Sequence, residues 1–305
     1  MAQRSQYRRL SISAGLASVT VALVLTGLKL WALGETHALS VAASLADSAL
    51  DLIVSLGGLA AILYAAKPPD EDHAFGHTSA EDLVALGQSV FILVSAGVIG
   101  WAAIARLLSS TPPPLTSEGR GMIVMGVSIL LTLGLVMWQR HVVQKTGSRV
   151  IAADSMHYLG DLVPNVGAIL SLWISAQFGV TGVDSVVALG AAAMLAISAL
   201  RIGKGAWDAL MDRSADPEIL QSVGKILGDW PGVYGYHDLK TRTAGSIVFI
   251  SAHIELDGEQ TLEEAHEISA ALRRAILMSH PRADVILHQD PVGVSPHPDD
   301  PSRKR

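Results

Sequence analysis

The sequence contains no cysteine among its 305 residues. This absence excludes disulfide bonds, thiolate metal sites and cysteine nucleophiles, so any bound metal ion must be held by imidazole nitrogen and oxygen ligands. Charged side chains are also scarce, at 16% of residues, whereas an ordinary soluble domain carries about 25%. The formal net charge of −6 gives no support to nucleic-acid binding.

Hydrophobic residues make up 50% of the chain, and the mean hydropathy is +0.40. A helix needs roughly 20 apolar residues to cross the hydrocarbon core of a bilayer, and six stretches meet that length. We predict membrane-spanning helices over about residues 10–33, 38–66, 83–108, 121–138, 150–178 and 183–200. The first stretch follows basic residues like a signal peptide, but it is longer than one and further apolar stretches follow it.

The basic residues near the ends of these predicted helices fall mostly on one side of the membrane. They are Arg4, Arg8, Arg9, Lys67, Arg140, Lys145, Arg149, Arg201 and Lys204. The opposite loops around residues 35–36 and 179–184 contain no Lys or Arg, and Arg106 and Arg120 are the only exceptions. An excess of positive charge marks cytoplasmic loops, so we expect both termini in the cytoplasm.

After about residue 210 the pattern changes to that of a small soluble domain. We predict helices over about residues 217–230 and 261–278, and strands over about residues 233–242, 247–256 and 284–289. This α-β-β-α-β order predicts a ferredoxin-like α+β domain with its helices on one face of the sheet.

Two local motifs place the starts of these two helices, and the composition of the last residues describes the end of the chain. Asp216 is the expected N-cap of the first helix, and Thr261 with Glu264 forms a capping-box pattern at the second. The polar residues 293–305 are expected to be a disordered tail. The predicted organisation is an all-α six-helix transmembrane domain (1–210), a cytoplasmic domain (211–292) and this tail.

Ionisable residues occur in pairs inside two of the predicted spans. Asp47 and Asp51 lie in the second span, and His157 and Asp161 lie in the fifth. Spacing of four residues puts each pair on one helix face, with Cβ atoms about 5–6 Å apart. Three carboxylates and one imidazole suit a tetrahedral zinc ion. Polar packing between helices is the alternative, but each aspartate near the bilayer centre costs about 2.5–3.5 kcal/mol.

We therefore predict a metal transport site at these four residues. Each ligand must lose its proton to bind metal, so metal binding and proton release are linked. His157 titrates closest to neutral pH, which makes it the leading candidate for the exchanged proton. A site that opens alternately to each side of the membrane would move metal out as protons enter.

A second group of potential ligands lies in the loop between the second and third spans. Asp70, His73 and His77 fall within eight positions, a spacing that favours a metal site. The alternative is a solvated acidic loop.

A third group lies in the cytoplasmic domain. Strand alternation puts His253 on the face opposite the apolar residues of its strand, and it puts His288 and Asp290 on a shared face. With His237 on the first strand, these four residues are predicted to meet on the uncovered sheet face as a metal site. His266 lies on the second helix and would reach them only from elsewhere, for example from another subunit.

Together these motifs resemble those of the cation diffusion facilitator family, in particular its bacterial zinc and ferrous-iron efflux branch. The resemblance rests on the four intramembrane residues and on residues 70–88, 232–239 and 286–290, and it extends to about residue 291. It implies a homodimer in a bacterial inner membrane that pairs through zinc-binding C-terminal domains, with a transport site between the second and fifth spans.

The resemblance also assigns ligands to the three sites. The transport ligands it implies are Asp47, Asp51, His157 and Asp161, and the loop ligands are Asp70, His73 and His77. The cytoplasmic ligands it implies are His237, His253, His266, His288 and Asp290. One position departs from the family pattern, because Ser79 stands where relatives often carry a Lys or Arg that pairs with an acidic residue, here Asp212.

Several alternatives remain open from the sequence. Zinc is the favoured substrate, but Fe²⁺, Cd²⁺, Co²⁺, Ni²⁺ and Mn²⁺ are alternatives, since ligand type alone does not exclude them. A membrane-anchored metal sensor is a second class of function, although an anchor needs no charges at the bilayer midplane. An enzyme is ranked last because four protein ligands leave no open position on the metal for a water molecule.

Overall fold

The computed structural model describes residues 2–36, 39–108, 119–178 and 183–293. The chain forms two compact units, one of residues Gln6–Trp207 and one of residues Met1–Ser5 with Asp208–Arg305.

Long helices make up the first unit. Within the described residues they are α1 (Ala2–Thr36), α2 (Leu39–Ala65), α3 (Ser79–Leu108), α4 (Gly119–Thr146), α5 (Arg149–Phe178) and α6 (Val183–Leu210). In the part of the chain that the structure describes, five of them contain an apolar stretch long enough to cross a membrane: Gln6–Trp31, Ser48–Ala65, Ser79–Leu108, Gly126–Thr146 and Ser185–Leu210. A helical, membrane-type domain is therefore confirmed. α5 is a helix of 30 residues that carries the polar side chains Asp154, His157 and Asp161.

Large apolar side chains lie on the outside of this unit. Val94, Trp101 and Leu130 are 61%, 74% and 71% exposed. In water such a surface would be an aggregation hazard, whereas in a bilayer it contacts lipid tails of the same polarity.

The interior of the unit contains many small residues, which let the helices approach closely. At Gly203 of α6, an added Cβ would lie 2.6 Å from the hydroxyl oxygen of Ser89 in α3. A larger residue at position 203 would force the Ser89 side chain to move.

The second unit contains α7 (Pro217–Gly228), β1 (Gly235–Ala244), β2 (Ile247–Leu256), α8 (Leu262–Ser279) and β3 (Ala283–Pro291). The strands form one sheet in the order β1-β2-β3, with β1 antiparallel and β3 parallel to β2. Alternate residues of β2, including Ile250 and Ile254, are buried in a core with Leu227 of α7 and Leu272 of α8. The α+β character of this domain is confirmed, and its opposite sheet face is free of these helices.

Both local predictions at the helix starts are confirmed. The capping box of α8 is confirmed, because the Thr261 N–H donates to Glu264 Oε2 at 2.8 Å and the Glu264 N–H donates to Thr261 Oγ1 at 3.3 Å. The N-cap predicted for α7 is also confirmed, because Asp216 occupies that position and Pro217 follows it in the first turn, although the Asp216 side chain makes no capping hydrogen bond.

The first strand lies two residues later than predicted. Thr243 belongs to β1 and pairs with Val248, and Ala244 pairs with Ile247. The turn is thus shorter than the sequence suggests, with Gly245 adopting a positive φ of 54°. A two-residue connection of this kind needs a left-handed backbone, which glycine adopts without steric cost.

Candidate metal sites

The second and fifth helices bring a buried group of ligand atoms together. The Nε2 of His157 lies 2.9 Å from Oδ1 of Asp51, and ligand atoms of Asp51, His157 and Asp161 all lie within 4.8 Å of one another. Asp51 and His157 are only 6% and 8% exposed. The fourth predicted ligand, Asp47, lies one turn earlier on α2, but its side chain is outside the described residues. We call these residues the intramembrane cluster.

This cluster lines a cavity of about 460 Å³. The walls of the cavity include Phe91 of α3 and Leu195 of α6, and the Phe91 ring meets the His157 ring edge to face at a centroid distance of 5.6 Å. The cavity therefore combines apolar walls with carboxylate and imidazole groups. Such groups can replace the hydration shell of a divalent cation of the zinc type.

A polar network that the sequence analysis missed adjoins the cluster. Gln139 Nε2 of α4 donates to Oδ2 of Asp154 in α5 at 2.6 Å. Ser55 Oγ lies 2.9 Å from the hydroxyl of Tyr158, and Ser18 of α1 donates to Ser55 at 2.9 Å. An aspartate three positions before His157 inside an apolar span was the available signal for this network.

Lys29 is a second intramembrane residue that sequence reasoning missed. Its ammonium group donates to Ser48 Oγ of α2 at 2.6 Å. An ionisable residue inside a predicted span is a candidate functional residue, and this was the signal that could have identified Lys29.

The predicted loop ligands also lie together. Oδ1 of Asp70 lies 3.0 Å from His73 Nδ1, and Oδ2 lies 3.1 Å from His77 Nε2. Ligand atoms of the three residues fall within 4.8 Å of one another. Desolvation opposes ionisation of Asp70, but the hydrogen bonds from the backbone N–H and ring of His73 and the charges of both histidines hold its pKa below the usual value.

The two histidines of this loop differ in exposure. His73 is exposed, whereas His77 is 5% exposed and packs edge to face against Tyr64 at a centroid distance of 4.7 Å. The buried Nδ1 of His77 makes no hydrogen bond among the described residues. The loop thus presents one fixed and one accessible imidazole to a common carboxylate.

Two acidic residues at the start of α3 bond to residues at the start of α5. Glu81 accepts a hydrogen bond from Ser148 at 2.6 Å, and Asp82, which is fully buried, pairs with Arg149 at 2.6 Å. These contacts stabilise the helix that follows the loop ligands.

In the second unit, the three strands align the predicted cytoplasmic ligands side by side. His253 of β2 pairs in register with His237 of β1 and with His288 of β3. Asp290 Oδ2 lies 2.8 Å from His253 Nδ1 and 3.5 Å from His237 Nε2, and its Oδ1 lies 3.3 Å from His288 Nε2. Ligand atoms of His237, His253 and Asp290 fall within 4.8 Å of one another. We call His237, His253, His288 and Asp290 the sheet cluster.

A bulge in β1 puts His237 on the correct face. His237 pairs with His253, and Thr241 pairs with Ile250. Between these two pairs β1 advances by four residues and β2 by only three. Asp238, directly after His237, adopts a left-handed backbone with φ of 48°. In a regular strand without this bulge, His237 and the buried Thr241 would share one face, because they lie four positions apart and side chains alternate along a strand.

Two residues differ from the prediction for this cluster. Glu255 was missed, although it lies two positions after His253 on the same strand face, and its Oε1 is 3.2 Å from His237 Nδ1. His266 is exposed on α8, and within the described residues it is not grouped with the cluster.

Asp212 is the acidic residue that would pair with a Lys or Arg at position 79, where this chain has a serine. In this structure Asp212 has a different partner. It accepts a hydrogen bond from Arg242 Nη1 at 3.0 Å. Ser79 is exposed at the first position of α3. Asp212 is therefore held by a base within its own unit.

Apolar helices, buried ligand groups between two of them and a separate α+β unit with a further ligand group define an integral membrane protein of the metal-handling class. Comparison with known families makes this specific. Residues 15–211 match the family model described as the cation efflux transmembrane domain, and residues 215–292 match that of the cation efflux protein cytoplasmic domain. The chain belongs to the cation diffusion facilitator family.

Individual relatives cover nearly the whole chain. It is 41% identical over 291 residues to the cation-efflux pump FieF of Yersinia enterocolitica, covering 95% of this chain and 96% of the relative. It is 39% identical over 290 residues to the cation-efflux pump FieF of Escherichia coli (strain K12 / DH10B), with coverage of 95% and 96%.

Solved structures of isolated domains also match part of the chain. The metal-bound C-terminal domain of the CzcD transporter from Thermotoga maritima is 28% identical, covers 25% of this chain and 91% of that chain, and gives a TM-score of 0.25. The cytosolic domain of a cation diffusion facilitator family protein is 27% identical, covers 25% and 93%, and gives a TM-score of 0.24.

Proposed function

We propose that this chain is an efflux transporter that exchanges a divalent metal ion, zinc before others, for protons. The observation that carries the proposal is the intramembrane cluster, in which Asp51, His157 and Asp161 present ligand atoms within 4.8 Å of one another. Acidic groups in a membrane domain are energetically costly, so their presence indicates that they serve a substrate or a proton.

The preference for zinc follows from the chemistry of the ligands. Carboxylate and imidazole groups, with Asp47 as the fourth member, supply the number and type of ligands that tetrahedral zinc takes. Fe²⁺, Cd²⁺, Co²⁺, Ni²⁺ and Mn²⁺ are competing substrates, because affinity for such ligands varies gradually along this series.

Proton exchange follows from the same ligands. Asp51 and His157 lie 2.9 Å apart, a distance at which a proton shared between them is held in place of a metal ion. Binding of the cation displaces this proton, and release of the cation restores it. Alternate opening of the cavity to the two sides of the membrane couples the two fluxes in opposite directions.

The proposed architecture has six spanning helices in residues 1–210, with α5 as the fifth, and both termini in the cytoplasm of a bacterial inner membrane. Residues 211–292 form a ferredoxin-like cytoplasmic domain that binds zinc and forms the homodimer. The predicted disordered tail, residues 293–305, lies outside the described residues except for its first residue. The loop ligands and the sheet cluster are proposed as additional zinc sites, with His266 supplied by the partner subunit.

Transport by purified protein in liposomes tests this proposal. Zinc uptake should be driven by an imposed pH gradient and lost in Asp51→Ala, whereas Asp72→Ala, which changes an exposed acid of the α2–α3 loop, serves as the control and should keep the wild-type rate. Uptake by Asp51→Ala equal to that of the wild type would remove the transport site. Zinc flux that ignores the pH gradient would refute proton exchange, and zinc binding without flux would make the chain a membrane-anchored sensor.

A further inference from the structure

Asp154 is a buried acid of the membrane domain that lies outside the intramembrane cluster. It is located on α5, one turn before His157, and is 6% exposed. Its contacts are polar on several sides: Gln139 of α4 donates to its Oδ2 at 2.6 Å, and Ser18 of α1 faces the same carboxylate. A buried charge without a counterion is energetically costly, so an acid in this position indicates a specific role.

The hydrogen-bond pattern around Asp154 suits its neutral form. Its Oδ1 and the Oε1 of Gln139 are both buried, and neither has a hydrogen-bond partner among the described residues. Both atoms are acceptors when the acid is ionised, so the pair lacks a donor. A proton on Oδ1 supplies that donor, since a neutral carboxyl has one O–H group.

Asp154 also interacts electrostatically with the intramembrane cluster. The titratable groups that interact with it are His157 and Tyr158 on its own helix and Asp51 on α2. The elements α1 and α4 face it with the uncharged Ser18 and Gln139. A dication bound by Asp51 and His157 therefore adds positive charge close to Asp154 in a medium of low dielectric constant, where such charges interact strongly.

A row of hydroxyl groups lies between Asp154 and the helices that carry the intramembrane cluster. Ser18 donates to Ser55 Oγ at 2.9 Å, and Ser55 Oγ lies 2.9 Å from the hydroxyl of Tyr158, the neighbour of His157. Hydroxyl groups both donate and accept, so this row can pass a proton from the carboxyl group to Ser55, which lies one helical turn after Asp51 on α2.

We infer that Asp154 holds a second exchangeable proton, which leaves when metal binds the intramembrane cluster and returns when metal is released. In this step the O–H bond of the neutral carboxyl breaks, its electron pair stays on Oδ1, and the proton passes to solvent. The inference rests on the proposed metal–proton exchange and adds to it a residue that does not touch the metal.

The test counts the protons released per zinc ion by the full-length protein in detergent, by calorimetry in buffers of different ionisation enthalpy between about pH 5 and 8. The loop ligands and the sheet cluster add their own signal. The count is therefore taken as the difference between each protein and the same protein carrying Asp51→Ala. Asp154→Asn keeps the size and the hydrogen bond from Gln139 but cannot ionise.

We expect Asp154→Asn to retain zinc binding and to release up to about one proton fewer per ion than the wild type. Equal counts at every pH would overturn the inference while leaving the proposed transport site intact. Absence of Asp51-dependent zinc binding in the wild type would instead refute the proposed function. Failure of the inference about Asp154 and failure of the proposed function are therefore distinguishable.

A second variant decides the case if Asp154→Asn does not fold. Gln139→Leu leaves Asp154 in place and removes both the N–H donor to the carboxylate and the Oε1 acceptor beside the neutral carboxyl group. The hydrogen bond to the ionised form is the stronger of the two, so the Asp51-dependent release should shift to higher pH with the same total. In infrared difference spectra, zinc should also remove a neutral-carboxyl band from the wild type. An unshifted pH profile for Gln139→Leu, with no change in that band, would overturn the inference.

Discussion

Replacement of His253 by alanine tests the sheet cluster most directly, because His253 lies on the central strand. Its Nδ1 is 2.8 Å from Asp290 Oδ2, and its ring lies 5.0 Å from that of His237 and 4.6 Å from that of His288. The other residues of the sheet cluster lie on the edge strands β1 and β3, so only His253 pairs in register with residues of two strands.

The expected size of the effect follows from the energy of a complete site. A structural zinc site contributes about 10–16 kcal/mol with four ligands, so an equal share for one ligand is roughly 2.5–4 kcal/mol. At 1.4 kcal/mol for each factor of ten, removal of His253 should weaken zinc binding by roughly 60-fold to 700-fold.

The assay is a zinc titration of the full-length protein against a competing chelator. Asp51→Ala and Asp70→Ala in the same chain remove the signal of the other two ligand groups. His280→Gln is the matched control, because His280 bonds to Ser222 and belongs to none of the three ligand groups, and it should bind zinc as tightly as the parent. Unchanged affinity in His253→Ala would refute the reasoning, and a loss in His266→Ala confined to dimeric protein would show that the partner subunit supplies a ligand.

Three further changes test how the two units are stabilised. Arg149→Met removes the ion-pair partner of the buried Asp82 and should lower the free energy of unfolding of the membrane unit by roughly 3 kcal/mol, measured by thermal unfolding in detergent. Thr261→Ala removes the cap that donates to and accepts from Glu264, and should cost about 1 kcal/mol of stability in the second unit. Burial lowers the pKa of His280, so the unfolded chain takes up a proton near pH 6.5 before the folded one does, and stability should fall as pH drops below that value.

Each of these changes has its own control. Arg149→Lys keeps the positive charge and should lose less stability than the methionine variant, and equal losses would contradict the ion-pair argument. Thr261→Ser retains a capping hydroxyl and should behave as the wild type. His280→Gln can keep the hydrogen bond to Ser222, at 2.9 Å in the wild type, and should flatten the pH dependence of unfolding; an unchanged slope would show that His280 does not cause it.

Features with a short sequence period were predictable because they depend only on helix and strand geometry. The pair His157 and Asp161 shares a helix face because four residues make about one helical turn. His288 and Asp290 share a strand face because side chains alternate. Thr261 and Glu264 close a capping box within a single turn, and that prediction is confirmed.

Features that depend on contacts between distant segments were not predictable in this way. The hydrogen bond between Gln139 and Asp154 joins two helices, and the two residues are 15 positions apart in the sequence. The sequence of neither segment indicates that the other is its partner. The pairing of Asp212 with Arg242 likewise spans 30 positions. Both depend on how whole helices and strands pack.

The sequence by itself determined the composition of this protein's sites: without cysteine, ligands had to be imidazole and carboxylate groups, and their spacing put them on particular faces. Only the tertiary structure decided which faces meet. The single-residue bulge beside Asp238 turns His237 toward His253, and the packing of α8 leaves His266 apart from both. Local periodicity sets the direction of a side chain along its own element, whereas the meeting of two side chains depends on packing that only the folded chain possesses.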